Sequence, residues 1–324
     1  MPVLPDIKHH SAYLDSAKAV AILAVVLGHI ASPLAEFLFA WHIPFFFLVG
    51  GIFIKPDTEP RAFIVKNMER LGYPYLVFGV IGIASELVKR IALDRPLGNL
   101  ADYPIGLLFW MDYSHLIGYH HILWFLPALL LARLLTFLIA KHVRQAGAAS
   151  GVAFALGAAG LWLPAQLPFA LNQALIALPW TWLGYVCFNH PALRYADHQP
   201  WYFLSAAAVV CVFAISGIPT LNLAVNDLPA PLNNYVFSTF FSLLLISVFA
   251  FWPRLNRWQA LRQWGENSML IMIAHAYTNN IAYLAVEKWL DGAWYFKFAI
   301  SVLLLYGILL IKLRMPRAFP FRYT

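Results

Sequence analysis

Charged residues are scarce in this chain of 324 amino acids. Asp, Glu, Lys and Arg together make up 11% of it, whereas a soluble globular domain contains about 25%. So few charges cannot cover the surface of a water-soluble protein of this length. The composition therefore excludes a soluble enzyme or binding module, and the 61% of hydrophobic residues predict an integral membrane protein.

Cysteine is nearly absent, because the chain contains only Cys187 and Cys211, both in apolar segments. This pair provides neither a disulfide framework nor a thiolate metal site. Runs of basic residues are missing too, and the net charge of +7 is spread singly between apolar stretches. Nucleic acid is therefore not an expected partner. The excess of cations that cytoplasmic loops of membrane proteins carry explains the charge better.

Apolar stretches of about 20 residues, the length that crosses the hydrocarbon core as a helix, recur along the whole chain. We predict an all-α, polytopic fold that forms a single domain over residues 1–324. The first stretch is expected to remain in the protein as a membrane helix, because a cleaved signal peptide would not carry Lys18 and His29. Ten membrane helices are predicted, near residues 15–34, 36–54, 72–92, 121–140, 148–164, 168–188, 201–218, 235–253, 267–287 and 294–312.

The distribution of lysine and arginine predicts the orientation. With a cytoplasmic N-terminus, 15 of these residues fall in cytoplasmic connections and 4 in outer connections. Such an excess is typical of the cytoplasmic side. Both termini are therefore predicted to be cytoplasmic. The long outer connection over residues 93–120 is predicted to be a re-entrant or interfacial segment.

Two polar residues stand out in the first helix. Lys18 and His29 are eleven residues apart, only about 20° past three full turns, so they share one helix face and lie roughly 16 Å apart along the axis. A polar stripe on an apolar helix predicts a face turned to protein or water. Asp15 is placed to pair with Lys18. The alternative is that Lys18 reaches the interface and His29 is a packed, hydrogen-bonded residue.

The second helix adds His42 and Glu36. Pro44 cannot donate a helix hydrogen bond and leaves a carbonyl without its partner close to His42. His42 can therefore face the same outer cavity as His29, or it is an ordinary interfacial histidine. Glu36 lies in the turn between the helices, where it either orients His29, as a carboxylate orients a catalytic imidazole, or caps the helix. The pair Gly50-Gly51 is predicted to be a packing site for another helix.

These residues form an ordered pattern that resembles a known family. Asp15-x-x-Lys18-x10-His29, followed by His42-x-Pro44-Phe-Phe-Phe-Leu-x-Gly50, is similar to acyltransferase family 3 of bacterial membrane proteins and to its fucose 4-O-acetylase-like branch. Lys18 is a departure, because much of the family has arginine there; lysine keeps the charge but loses the bidentate fork. The resemblance continues through Arg70-x-x-Tyr73-Pro74-Tyr75, Leu123-Trp124-Phe125-Leu126, Ala177-Leu178-Pro179 with Gly184-Tyr185, and Gly265-x-Asn267-Ser268 with His275.

The resemblance implies an O-acetyltransferase of the bacterial inner membrane. Its donor would be cytoplasmic acetyl-CoA, and its acceptor a saccharide hydroxyl on a surface polysaccharide or a lipid-linked precursor. No permanently bound cofactor is implied, and no set of metal ligands stands out in the sequence. Besides its two substrates, we expect the membrane lipids as partners.

Candidate roles follow for the polar residues. His29 is the expected general base, because its ordinary pKa suits removal of a hydroxyl proton, with Glu36 and His42 as further catalytic candidates. Arg133, in the middle of the fourth helix, must have a carboxylate, a carbonyl or a ligand phosphate as partner. The other candidates are Lys18, Lys66, Arg70, Arg133 and His275 for the donor, and Tyr73, Trp124, Asn267 and Ser268 for the acceptor or the oxyanion.

Several alternatives remain open at this point. His275 could be a core histidine, and Asn267 with Ser268 could cap the ninth helix. A secondary transporter or flippase for a glycolipid or small anion would also suit ten helices with polar residues near the midplane. That function leaves the ordered pattern unexplained. A different acyl group or an acceptor other than a sugar is a further alternative.

Overall fold

The fold is all-α, as predicted. The structure, a computed structural model, describes the backbone of residues 7–163, 166–289 and 292–324. It also describes their side chains, except those of residues 7–11 and 288–289. It is 78% helical. Its described residues form no β-strand, only an isolated bridge between Asn222 and Asp227.

Fourteen α-helices run through the described residues, joined by short 3-10 and π-helical turns. They are α1 Ile7–Gly28, α2 Ala35–Phe39, α3 His42–Ile52, α4 Pro60–Asn67, α5 Tyr73–Ala92, α6 Asp102–Ile105, α7 Phe125–His142, α8 Ala146–Trp162, α9 Leu171–Asn189, α10 Tyr195–Ser216, α11 Pro231–Phe251, α12 Gln259–Glu266, α13 Ser268–Trp289 and α14 Trp294–Arg314.

The helices confirm a multi-pass membrane protein. Every one of the ten predicted stretches overlaps a helix, although residue 164, the predicted end of the fifth, lies outside the described residues. The number ten and the cytoplasmic termini stay predictions. Seven helical segments of the described chain are long and apolar enough to cross a membrane: Ala35–Ile52, Pro60–Ala92, Gly118–His142, Tyr195–Ser216, Pro231–Phe251, Ser268–Glu287 and Trp294–Arg314.

Two prolines explain where the helices differ from the prediction. The second predicted helix is divided into α2 and α3, because Pro44 has no N–H to donate to a helix hydrogen bond. Regular helical hydrogen bonding resumes at Phe45, whose N–H donates to the carbonyl of Trp41. The third predicted helix extends back to Pro60. Within it, Pro74 is preceded by a π-helical turn, Met68–Gly72, in which Tyr73 donates to Met68.

The described helices pack as two compact units, and the single domain over residues 1–324 stays a prediction. The first unit takes the described residues of Met1–Phe46, Leu193–Leu221 and Pro229–Pro316; the second takes Phe47–Ala192, Asn222–Leu228 and Arg317–Thr324.

Helix α1 is the core of the first unit. It packs against α2, α11, α12, α13 and α14, and its residues Ala17, Ala19 and Ala21 are completely buried. The short amphipathic helix α12 was not predicted. Its backbone touches that of α1, because a side chain at Gly265 would meet the carbonyl oxygen of Asp15 at 1.7 Å. Small residues thus let helices approach closely around α1.

Close glycine contacts also organise the second unit. A Cβ atom at Gly51 on α3 would lie 1.9 Å from the carbonyl oxygen of Thr181 on α9, and one at Gly184 would lie 1.9 Å from the carbonyl oxygen of Leu48. The two backbones therefore cross in direct contact. This confirms that Gly51 is a packing site for another helix.

The connection over residues 93–120 is a folded segment. It contains α6 and a π-helical turn, Gly106–Trp110, and the hydroxyl of Tyr75 on α5 donates to the carbonyl of Leu107 at 2.7 Å. Leu108 and Phe109 are 56% and 46% exposed. Such an apolar surface suits an interfacial segment, and its depth in the membrane stays a prediction.

We predict that Gly51→Ala destabilises the protein, because the methyl group overlaps the backbone of α9. Overpacking of this kind costs about 1–3 kcal/mol, so the melting temperature in detergent should fall by several degrees. Gly151→Ala on α8 is the matched control, because its Cβ has no atom within 4 Å and alanine favours a helix by up to about 1 kcal/mol. Equal melting temperatures for the two variants would contradict the close contact.

Candidate functional site

His29 lies at the end of α1 in the first unit. It is the first residue after Gly28, and its backbone N–H still donates to the carbonyl of Val25 at 3.2 Å. Its ring atom Nδ1 lies 2.8 Å from the same oxygen. The imidazole therefore folds back onto the last turn of α1 and gives a donor to a carbonyl at the helix end.

Two further histidines of the first unit bind the backbone in the same way. Nδ1 of His42 lies 2.5 Å from the carbonyl oxygen of Leu38, and Nδ1 of His275 lies 2.5 Å from that of Met272. A carbonyl oxygen can only accept, so Nδ1 must carry the proton in all three rings. The acceptor atom of each neutral ring is then Nε2.

The three imidazoles form one cluster together with Phe39. The ring centre of His29 lies 4.9 Å from that of His275 and 6.2 Å from that of His42. The ring of Phe39 lies 5.2 Å from His29 and 5.0 Å from His42. We call this group the histidine cluster. The sequence offered His275 as a donor contact or a core histidine, and the structure brings it against His29.

Exposure separates the members of the histidine cluster. The side chains of His42 and His275 are 0% and 1% exposed, whereas His29 is exposed. Nε2 of His42 is buried and has no hydrogen-bond partner among the described residues. The structure therefore leaves His29 as the member that a ligand can reach. No set of three or more His, Cys, Asp or Glu residues in the described chain is arranged to hold a metal ion.

The other end of α1 carries Lys18. Its Nζ lies 2.7 Å from Oδ1 of Asp15, and the two side chains are 21% and 12% exposed. The predicted pairing of these residues is confirmed, and the Lys18 charge is largely balanced within its own helix. Glu36 is exposed in the first turn of α2. The Nδ1 atom through which a carboxylate would orient His29 lies at the carbonyl of Val25 instead.

Asn267 and Ser268 lie at the junction of α12 and α13. The amide Nδ2 of Asn267 donates to the carbonyl of Gln263 at 2.8 Å, and Ser268 is the first residue of α13. Asn267 thus closes the C-terminal end of α12, whereas the sequence offered a cap for the start of the following helix. One N–H of its amide is used in that bond, and Asn267 is only 9% exposed, which makes it a weaker oxyanion donor.

Arg133 on α7 is a partly buried cation of the second unit. Its Nε donates to Oδ1 of Asn67 at 2.7 Å, and its Nη1 donates to the carbonyl of Gly50. Asn67 is oriented by its own bond to Phe63, 2.7 Å long. The expectation of a carbonyl partner is confirmed. No carboxylate pairs with Arg133 in the described part of the chain, so its positive charge is not neutralised there.

The remaining predicted residues of the second unit differ in exposure. Lys66 ends α4 and Arg70 lies in the π-helical turn; both are exposed, and the charge of Arg70 acts on Arg133. Tyr73 is 51% exposed, whereas Trp124 is 5% exposed in the turn before α7. The structure thus groups Arg133 with Arg70 and leaves Trp124 in the interior.

Sequence reasoning missed Asn67 as a partner of Arg133. The signal was present, because Asn67 follows Phe63 by one helical turn and would share its buried face. Phe63 is 4% and Asn67 is 2% exposed. A polar residue on the buried face of an otherwise exposed amphipathic helix needs a partner, and the guanidinium of Arg133, which also needed one, was available.

The two units thus define a polytopic membrane protein with a histidine cluster in one unit and an unneutralised arginine in the other. The model of acyltransferase family 3, described as an acyltransferase domain, matches residues 11–313, nearly the whole chain. The chain belongs to this family, and it is a membrane acyltransferase. No curated protein and no solved structure matches it in the same comparisons.

We predict that Arg133→Leu and Asn67→Leu each destabilise the protein and that their effects are not additive. Each change removes the same bond and leaves a buried polar group without its partner. A double-mutant cycle on unfolding in detergent should give a coupling of about 0.5–3 kcal/mol. Additive effects would show that the two residues do not support one another. Arg133→Lys should also destabilise, because one ammonium cannot reproduce the fork.

Proposed function

We propose that the protein transfers an acetyl group from acetyl-CoA to a saccharide hydroxyl. The family membership supports acyl transfer by a membrane protein. The observation that carries the proposal is the exposed imidazole of His29, whose Nδ1 is anchored at 2.8 Å to the carbonyl of Val25. This anchor presents Nε2 as a proton acceptor, which is what deprotonation of a hydroxyl requires.

In the proposed mechanism His29 acts as a general base. Its Nε2 takes the proton of the acceptor hydroxyl as the oxygen attacks the thioester carbonyl carbon. The tetrahedral intermediate then breaks the carbon–sulfur bond, and the proton passes from Nε2 to the departing thiolate. The new ester and coenzyme A leave, and His29 returns to its starting form. The carbonyl of Val25 keeps the ring in one tautomer throughout, the role that a carboxylate has in serine hydrolases.

The buried histidines support this base by packing. His42 and His275 lie against His29 and are closed off from ligands. With Nδ1 protonated, their neutral rings present an acceptor at Nε2, so they cannot stabilise an oxyanion in that form. We propose that they fix the ring plane of His29. Oxyanion or acceptor contacts are left to the exposed Tyr73 and to Ser268, with Trp124 and Asn267 as weaker candidates. Glu36 stays a weaker catalytic candidate.

The donor phosphates are proposed to bind cations of the second unit. Arg70 and Lys66 are exposed, and Arg133 has only neutral partners. A cation without a carboxylate partner favours a bound anion, and guanidinium groups suit phosphate oxygens. Lys18 is a weaker donor contact, because Asp15 already balances its charge.

The cellular setting follows from the same proposal. A multi-pass protein with cytoplasmic termini in the bacterial inner membrane would take acetyl-CoA from the cytoplasm. It would modify a surface polysaccharide or a lipid-linked precursor, as the fucose 4-O-acetylase-like branch suggests. Transport of a glycolipid is the less favoured function, because it leaves the family match unexplained.

We predict that His29→Ala abolishes acetylation while the protein still accumulates in the membrane. Loss of a general base lowers a rate by about 10²–10⁴-fold. The measurement is mass spectrometry of surface glycan for the mass of an added acetyl group, comparing the variant with a deletion strain. His142→Ala, an exposed histidine at the end of α7, is the matched control. Normal acetylation in His29→Ala would refute the base.

We predict that replacing Lys66 and Arg70 by glutamine weakens acetyl-CoA binding about tenfold or more, since hydrogen bonds to charged groups contribute about 1.5–3 kcal/mol each. Calorimetry in detergent should show no loss for S-acetylpantetheine, which lacks the nucleotide and its phosphates. Arg144→Gln provides the control, because Arg144 is an exposed cation of the second unit without a proposed donor contact. Equal losses for both thioesters would argue against phosphate recognition.

A further inference from the structure

A side chain from α13 holds the end of α1. Nδ2 of Asn279 donates to the carbonyl oxygen of Val26 at 3.0 Å, across 253 positions of sequence. Val26 is completely buried and Asn279 is 9% exposed. The carbonyl of Val26 belongs to the last turn of α1, where helix carbonyls lack partners within the helix. Asn279 therefore supplies the donor that this position needs.

The orientation of the Asn279 amide is fixed from α14. The hydroxyl of Ser301 donates to Oδ1 of Asn279 at 2.6 Å, and Oγ1 of Thr278 lies 2.8 Å from Oγ of Ser301. Each hydroxyl has one proton. The hydroxyl of Thr278 lies 3.2 Å from the carbonyl oxygen of His275 and 2.8 Å from Oγ of Ser301. Because the proton of Ser301 goes to Asn279, we assign the shorter contact as a donation from Thr278 to Ser301. The bonds then run in one direction, from Thr278 through Ser301 and Asn279 to Val26.

This chain of bonds ends beside His29. Val26 precedes His29 by three residues, and the adjacent carbonyl, that of Val25, accepts both the N–H and Nδ1 of His29. On α13, His275 lies one helical turn before Asn279 and packs against the ring of His29 at 4.9 Å. Helix α13 thus holds both the backbone before His29 and the ring itself.

We propose that Asn279 is a positioning residue for His29. By fixing the Val26 carbonyl it sets the last turn of α1 and, through the Val25 carbonyl, the direction of the His29 ring. The inference rests on the proposed role of His29 as base. Asn279 does not touch the substrate in this proposal, so its loss should change the rate of transfer and leave donor binding unchanged.

Asn279→Asp is the most informative substitution, because it keeps the shape and exchanges the donor for an acceptor. A carboxylate oxygen would face the Val26 carbonyl oxygen and push the last turn of α1 away. A displacement of about 1 Å at a catalytic group can lower the rate about 10²-fold. A protonated carboxyl, by contrast, accepts from Ser301 and donates to Val26 as the amide does. The loss should therefore diminish as the pH falls.

The test uses membranes that contain the full-length protein and the cell's own glycan, with acetyl-CoA labelled in its acetyl group. The maximal rate of label incorporation into base-labile ester and the half-saturating acetyl-CoA concentration are measured across pH. Asn234→Asp is the matched control. Asn234 is a fully buried asparagine on α11, and its Nδ2 donates to the carbonyl of Thr220 at 2.7 Å.

We expect Asn279→Asp to lower the maximal rate about 100-fold near neutral pH, with the half-saturating concentration unchanged. The ratio of its rate to that of the unmodified protein should rise as the pH is lowered. Titratable groups within one turn of the bonded residues are His275, Tyr277 and Tyr283 on α13, His29 on α1 and Lys297 on α14. All are present in both proteins. The new carboxylate favours the protonated, inactive form of His29, which lowers the ratio as the pH falls, so this coupling cannot produce the expected rise.

The proposal would be overturned if Asn279→Asp and Asn234→Asp lowered the maximal rate equally. It would also be overturned if the rate of Asn279→Asp did not recover at low pH. If the Asn279→Asp protein fails to accumulate in the membrane, the rate of the Ser301→Ala variant tests the positioning role instead. This substitution removes one neutral hydrogen bond behind the amide, so the rate should fall about fivefold, and an unchanged rate would refute the positioning role. His29→Ala separates the two proposals. Full activity there refutes the base itself, whereas an inactive His29→Ala with an active Asn279→Asp refutes only Asn279.

Discussion

The structure depends on one requirement, that carbonyl oxygens at helix ends and breaks receive donors. Within a membrane no water can replace a missing helix partner. In this chain polar side chains provide those donors, some from the same turn and some from a distant helix. At helix ends, Asn279 donates to the carbonyl of Val26 and Arg133 to that of Gly50. The carbonyls of Val25, Leu38 and Gln263 accept a side chain, from His29, His42 and Asn267, in addition to a backbone N–H. His275 makes the same kind of bond to Met272 inside α13.

The same requirement determines the chemistry of the histidine cluster. An imidazole that donates Nδ1–H to a carbonyl has one neutral tautomer, and its acceptor atom is on the other side of the ring. In the proposed mechanism, capping of the helix end and preparation of the base are therefore a single interaction of His29. In the buried His42, the identical interaction produces a packed residue, because no ligand can reach its Nε2. Exposure, more than residue type, distinguishes the two.

Much of the fold was predictable from the sequence, since long apolar stretches can only become helices in a membrane. The Gly51 contact and the pairing of Lys18 with Asp15 were predictable as well, because they depend on local spacing. The helix α12 was missed, since eight residues with an amphipathic pattern carry no signal of membrane length. The contact of His275 with His29 joins residues far apart in the chain, and no pattern in a single sequence encodes it.

Polar residues in apolar helices are commonly interpreted as functional, and this chain shows how that interpretation can be refined. Asn67 and Asn279 each donate from Nδ2 and accept at Oδ1 within the protein. Both are buried, so their contribution is to geometry. Two donors of Arg133 go to neutral partners while its charge persists, so it can still attract an anion. His29 binds a carbonyl through Nδ1, and the proposed mechanism uses its other nitrogen as the base. A polar residue in a membrane helix is thus a candidate catalytic or binding residue when its hydrogen bonds within the protein do not neutralise its charge or occupy its basic nitrogen.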